Sequence, residues 1–141
     1  MTIRPGHTPL VVVPVRFPLT SHSRATLERA IEVARERDAT LTVLHVALYQ
    51  EGRDVTRGDL KTAVEAAFGG LERTRYVVRR GFLVEEAILE EVAAERADVV
   101  VIGSKQAGRW RRMLDRVFDG PDVEGVLRSE LDCEVVTVSA G

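Results

Sequence analysis

The chain has 141 residues, 45% of them hydrophobic, with 20 Lys+Arg against 22 Asp+Glu and one cysteine. That length suits one domain with a proper core, and a formal net charge of −2 gives no global pull toward nucleic acid or a membrane surface. The lone Cys133 excludes an intrachain disulfide and any zinc site needing two or more cysteines.

In chain order, Leu10–Val15 reads as a first strand: a continuous apolar run bounded by Pro and polar residues suits burial on both faces. Arg16 to Ser21 follows as a loop held extended by Pro18. Ser21 or Ser23 then caps a helix to about Arg37, with Leu27, Ala30, Ile31 and Ala34 on one face. Residues 40–48 form a second strand, and 49–57, polar with Gly52, a loop. A second helix runs from about Gly58 to Leu71, frayed by Gly69-Gly70. Thr74–Arg79 is a third strand. The two arginines after Val78 put its far end at the surface or at a sheet edge.

A third helix covers about Val84 to Arg96, and Ala97–Ile102 is a fourth, very apolar strand. Gly103–Gly108 reads as a loop and 109–118 as helical. Asp119-Gly120-Pro121-Asp122 breaks that helix and starts another, to about Leu131. Cys133–Val138 is the last strand. The alternation predicts an α/β fold: a three-layer, doubly wound, five-stranded parallel sheet, whose ligands sit beyond the carboxyl ends of the strands where strand order reverses. The run 10–15 is too short to span a bilayer and lacks the pattern of a signal peptide, so a soluble cytoplasmic protein is expected.

Several stretches together carry a resemblance. They are Val11-Val12-Val13-Pro14-Val15, Thr26 through Ala34, Leu41-Thr42-Val43-Leu44-His45-Val46, Glu86-Ala87-Ile88-Leu89 through Gly103-Ser104-Lys105, and Val126-Leu127-Arg128 followed by Cys133 through Val138. In this order and spacing the chain resembles the universal stress protein family over nearly its whole length. The resemblance implies strand order 3-2-1-4-5 with the switch point between strands 1 and 4. It also implies a homodimer paired through the last strand, here Val135, Val136, Thr137 and Val138.

Many members of that family bind ATP through an Asp after strand 1 and a Gly-x-x-Gly, nine residues, Gly-Ser/Thr pattern after strand 4. Its glycines let backbone N–H groups approach phosphate. This chain departs from the pattern. Arg16 stands at the Asp position, Gln106 at the second Gly, with Gly108 the nearest substitute, and Pro121 at the Ser/Thr beside Gly120. From Gly103 to Gly120 is 17 positions, not 13. Pro121 has neither hydroxyl nor N–H to donate, and Asp119 and Asp122 would repel a phosphate from that helix start. Standard ATP binding is therefore not expected.

Of the bases, 18 are arginine; only Lys61 and Lys105 are lysine. Composition bias accounts for such an excess, yet arginine is also the better fork for oxyanions. Lys105, Arg109, Arg111, Arg112 and Arg116 against Asp115 give +4 over residues 103–116, and residues 117–134 give −5. Solvated helix faces of opposite sign are one reading of this contrast. The other is an anion pocket in which Arg16, Lys105 and Arg109 converge at the switch point on a phosphate, sulfate or carboxylate; a rival nucleotide site would instead read its ligand through the backbone at Val15, Gly103, Gly108 and Gly120, with Lys105 and Arg109 supplying phosphate charge and Ser104 a further candidate beside Gly103.

Trp110 among arginines invites a stacking role on nucleic acid, but its spacing with Met113 and Leu114 favours packing, and no nucleic-acid or membrane partner is expected. His7, His22 and His45 are scattered, His45 being structural, and no metal-ligand spacing occurs. No nucleophile elbow or other catalytic set is visible. The expectation is a homodimeric regulatory or ligand-sensing protein with a degenerate ATP motif. Two alternatives stand beside it: an ATP- or AMP-binding member with slow hydrolysis, and a purely protein-interacting subunit.

Overall fold

A computed structural model describes residues 8–118 and 133–139, and among these five strands and four α-helices follow one another. They are β1 (Leu10–Pro14), α1 (Ser21–Glu36), β2 (Thr40–Leu48), α2 (Arg57–Phe68), β3 (Thr74–Gly81), α3 (Val84–Glu95), β4 (Val99–Gly103), α4 (Ser104–Phe118) and β5 (Glu134–Val138). All the strands are parallel, in the order β3-β2-β1-β4-β5. The chain winds outward from β1 to β3, then crosses back to β4 beside β1. That reversal opens a crevice between the carboxyl ends of β1 and β4. The expected fold class and strand order are those observed.

The central strands are β-branched and buried on both faces. Val11, Val13, Val43, Val99 and Val101 face α1 and α2; Val12, Leu44, Val46, Val100 and Ile102 face α3 and α4. Leu27, Ala30 and Val33 fill the first layer, and Ala87, Ile88, Val92 and Trp110 the second. Trp110 is 1% exposed in that second layer, with Met113 packed against it, so its ring serves the core. Cys133 is buried in the same layer.

Local chemistry sets the helix ends. The cap of α1 is Thr20 rather than Ser21 or Ser23: its Oγ1 accepts from the Ser23 amide at 3.1 Å. Thr56 and Asp59 form a reciprocal capping box on α2, and the Thr56 amide and hydroxyl hold the Asp59 carboxyl below its usual range. That helix stops at Phe68, three residues short of the expected Leu71, because Gly69 takes a φ of +79°. Arg96, left-handed at φ 52°, ends α3.

One expected element is different. Residues 104–108 are not a loop: α4 begins directly after β4, at Ser104. Gly108 costs a helix about 1 kcal/mol relative to Ala, but Ala107 and Trp110 are buried and hold this turn on the sheet. The expected break at 119–122 and the helix beyond it lie outside the described residues.

Candidate functional site

A cleft of about 670 Å³ lies at the carboxyl ends of β1, β2 and β4, within the range of small-molecule sites. Its wall at β1 is Val15 and Arg16. The Val15 amide donates to Leu44 O at 2.8 Å, and His45 Nδ1 lies 3.0 Å from Val15 O. A carbonyl only accepts, so Nδ1 carries the hydrogen, and Nε2 of the neutral ring is left as an acceptor. The Arg16 amide donates to Ser23 Oγ at 2.9 Å, fastening the loop to the start of α1.

Three helix N-termini reach this cleft, and they are satisfied differently. The first turn of α1 is capped by Thr20. That of α3 carries Glu85 and Glu86, carboxylates that complement the positive end of a helix. The first turn of α4 has no acidic residue, and follows Gly103, where a Cβ would meet nothing within 4 Å. A helix start without an acid, behind a glycine, suits an anion.

The basic side chains also differ. Glu85 is 6% exposed, and its Oε1 accepts from Arg109 Nε at 2.8 Å, binding α3 to α4 across the floor. Arg109 is thus already engaged by a carboxylate, though only through Nε. Arg16 and Lys105 are exposed, and among the described residues neither has an ion-pair partner. Such a pair of cations beside that helix start can hold a phosphate or carboxylate through charge-assisted hydrogen bonds.

Of the residues expected at an anion site, the structure brings Val15, Arg16, Gly103, Ser104, Lys105 and Arg109 into this one cleft. Gly108 lies a turn into α4, away from the lining, and Gly120 lies outside the described residues. The expected interface strand contributes too, since Val138 lines the cleft. Sequence reasoning missed Glu85, Ser23, Gln50, Phe82 and Leu83. Only Glu85 had a signal, an acid in a helix's first turn. Among the described residues no group of three or more His, Cys, Asp or Glu side chains could hold a metal ion.

The model of the universal stress protein family matches residues 10–139. The chain belongs to the universal stress protein family. Solved universal stress proteins share its fold. A UspA from Lactobacillus plantarum is 16% identical with a TM-score of 0.57, over 94% of this chain and 99% of that one. A universal stress protein solved in complex with cAMP is 20% identical with a TM-score of 0.59, over 94% and 97%. One from Archaeoglobus fulgidus, in complex with dAMP, is 18% identical with a TM-score of 0.54, over 94% and 98%. No curated protein sequence matches significantly. In this universal stress protein no described helix is long and apolar enough to cross a membrane.

Proposed function

We propose that this universal stress protein is a ligand-sensing module of the cytoplasm that holds a small monophosphate anion in the cleft between β1 and β4, and that it acts as a homodimer joined through β5. One observation carries the anion reading. Arg16 and Lys105, with no ion-pair partner among the described residues, flank the first turn of α4. The relatives solved with cAMP and dAMP support a ligand with one phosphate rather than three. Arg16 at the position where the family pattern has Asp, and a helix in place of a glycine loop after Gly103, further favour a mode of binding other than the standard ATP one.

Dimerisation is supported by the outer edge of β5. From Val135 to Val138 it carries no charge, and among the described residues nothing pairs beyond it.

Titration calorimetry with inorganic phosphate, AMP and ATP tests the reading. Phosphate and AMP should bind, with ATP no tighter than AMP. Absence of binding by both phosphate and AMP, or micromolar ATP affinity that exceeds AMP's, overturns it. Light scattering should give twice the chain mass, and a monomer removes the dimer.

A further inference from the structure

Among the described residues the cleft is lined by three cationic side chains, Arg16, Lys105 and Arg109, and by a single acid, Glu85. Glu86, its neighbour in the same helical turn, is exposed and outside that lining. Burying a carboxylate is costly unless it is fully paired, and the pairing of Glu85 is incomplete. Oε1 accepts from Arg109 Nε at 2.8 Å. Oε2 has no hydrogen-bond donor among the described residues, yet it is not sealed in the core, so it looks into the cavity that Glu85 lines. A carboxylate that served only to clamp α3 to α4 would take the two-pronged arginine fork. Nor does α3 depend on this bond to stay on the sheet, since Arg75 and Arg79 of β3 already bond its Glu95 and Glu91.

The consequence lies in the balance of charge. With histidine counted as neutral, three cations against one carboxylate leave the described lining with an excess of two positive charges. One phosphate dianion cancels that excess. Arg16 and Lys105 flank the start of α4, where the first phosphoryl group belongs. A second phosphoryl group needs the third cation. Arg109 lies five residues into α4, about 7.5 Å along its axis from Ser104, and Glu85 already neutralises it. A further phosphoryl group therefore meets a spent cation and a bare carboxylate oxygen, in a partly buried setting that salt screens weakly.

We infer that Glu85 is a specificity-determining residue that limits the ligand of this cleft to one phosphoryl group, by occupying Arg109 and by repelling any second phosphoryl group with its free oxygen. This rests on the anion reading above and names the side chain that restricts it. A Glu85 that served the fold alone would position α4 for every anion alike, and would leave the ratio of their affinities unmoved.

Calorimetry with inorganic phosphate and pyrophosphate, on the wild type, Glu85→Gln and Glu86→Gln, tests it. The glutamine carbonyl can still accept from Arg109 Nε, so the bond between α3 and α4 is kept, which a thermal melt checks. Glu85→Met, of similar length and good helix propensity, takes its place in the same comparison if the Gln variant does not fold. The wild type should bind phosphate at least as tightly as pyrophosphate. Glu85→Gln should raise the affinity for pyrophosphate relative to phosphate about tenfold, the effect of removing one charge roughly 10 Å away at an effective dielectric constant of about 20. Pyrophosphate should then be the tighter ligand. Glu86→Gln, which removes a solvated charge from the same turn, should leave the ratio within about twofold of the wild type. If the ratio is the same in the wild type and Glu85→Gln, or if Glu86→Gln moves it as far, Glu85 is a clamp only and the inference is overturned while the anion site stands. A wild type that prefers pyrophosphate overturns it as well. If the wild type binds neither anion, both readings fail.

Discussion

The two flanks of this sheet treat charge in opposite ways. On the outer flank, arginines of β3 are bonded to acids: Arg75 to Glu95, Arg79 to Glu91 with Glu90 at 3.4 Å, and Arg80 to Asp54. Glu91 and Glu95 lie one helical turn apart and are buried against the sheet, with Thr42 Oγ1 donating to Glu95 Oε1 at 2.8 Å. Burial and the hydrogen bond with Glu91 push Glu95 up to about 7. Burial acts on Glu91 as well, but hydrogen bonds with Glu95 and Arg79 outweigh it and hold Glu91 below the usual carboxylate range. Two neighbouring carboxyls are thus pushed in opposite directions, Glu95 up and Glu91 down. At the cleft, by contrast, Arg16 and Lys105 have no such partners among the described residues, and aromatic surface faces water. An arginine-rich composition thus hides two uses of the same charge. Paired with buried acids it fixes a helix to a strand; beside the start of α4 it is the charge on which the proposed anion site rests.

That contrast can be broken experimentally. The largest effect is expected at the cleft. Arg16→Glu with Lys105→Glu should abolish the calorimetric response to phosphate, a loss of about 3 kcal/mol or roughly 100-fold for two charge-assisted hydrogen bonds. Retained affinity would show that the two cations are ordinary solvated surface.

A smaller effect is expected on the flank. An unfolded Glu titrates near 4.3, well below the folded value of about 7 for Glu95. Its contribution to stability is therefore complete below the unfolded value and lost as pH rises through about 7. Denaturation from about pH 6 to about pH 8.5 should show a loss on the order of 1 kcal/mol, reduced by screening from the half-exposed arginines. Glu95→Gln, which keeps the shape and mimics the protonated form, should flatten that slope and leave phosphate affinity unchanged. An unaltered slope would assign the pH dependence to a group other than Glu95. The smallest effect belongs to Lys105→Ala, which should change folding stability by no more than about 0.5 kcal/mol. A larger loss would mean that Lys105 serves the fold as its flank counterparts do.

Much of the fold was legible because its signals are local. Valine runs at 10–14 and 99–102 mark doubly buried strands, and the spacing of Leu27, Ala30 and Ala34 marks one helix face. The segment 104–108 misled because Gly103, Ser104 and Gly108 have loop propensities, while the burial of Ala107 and Trp110 that overrides them depends on a sheet distant in sequence. The site was legible in half. Arg16, Gly103 and Lys105 follow the ends of recognisable strands. The Glu85–Arg109 bond joins residues 24 apart, and the Tyr49–Phe82 stack joins the ends of two neighbouring strands. Neither leaves a periodicity to read, and an exposed phenylalanine looks like a buried one until its surroundings are known.

The two rims of the sheet have a consequence for stoichiometry. One outer strand, β3, bears Arg75, Arg79 and Arg80, and edge charge of that kind discourages another strand from adding. The opposite strand, β5, bears none after Glu134. A protomer with one receptive border and one repelling border has a valence of one. The pairing through β5 proposed above would consume it, so that growth would stop at a closed twofold particle, with the route to an open fibre barred by the same arginines that brace α3.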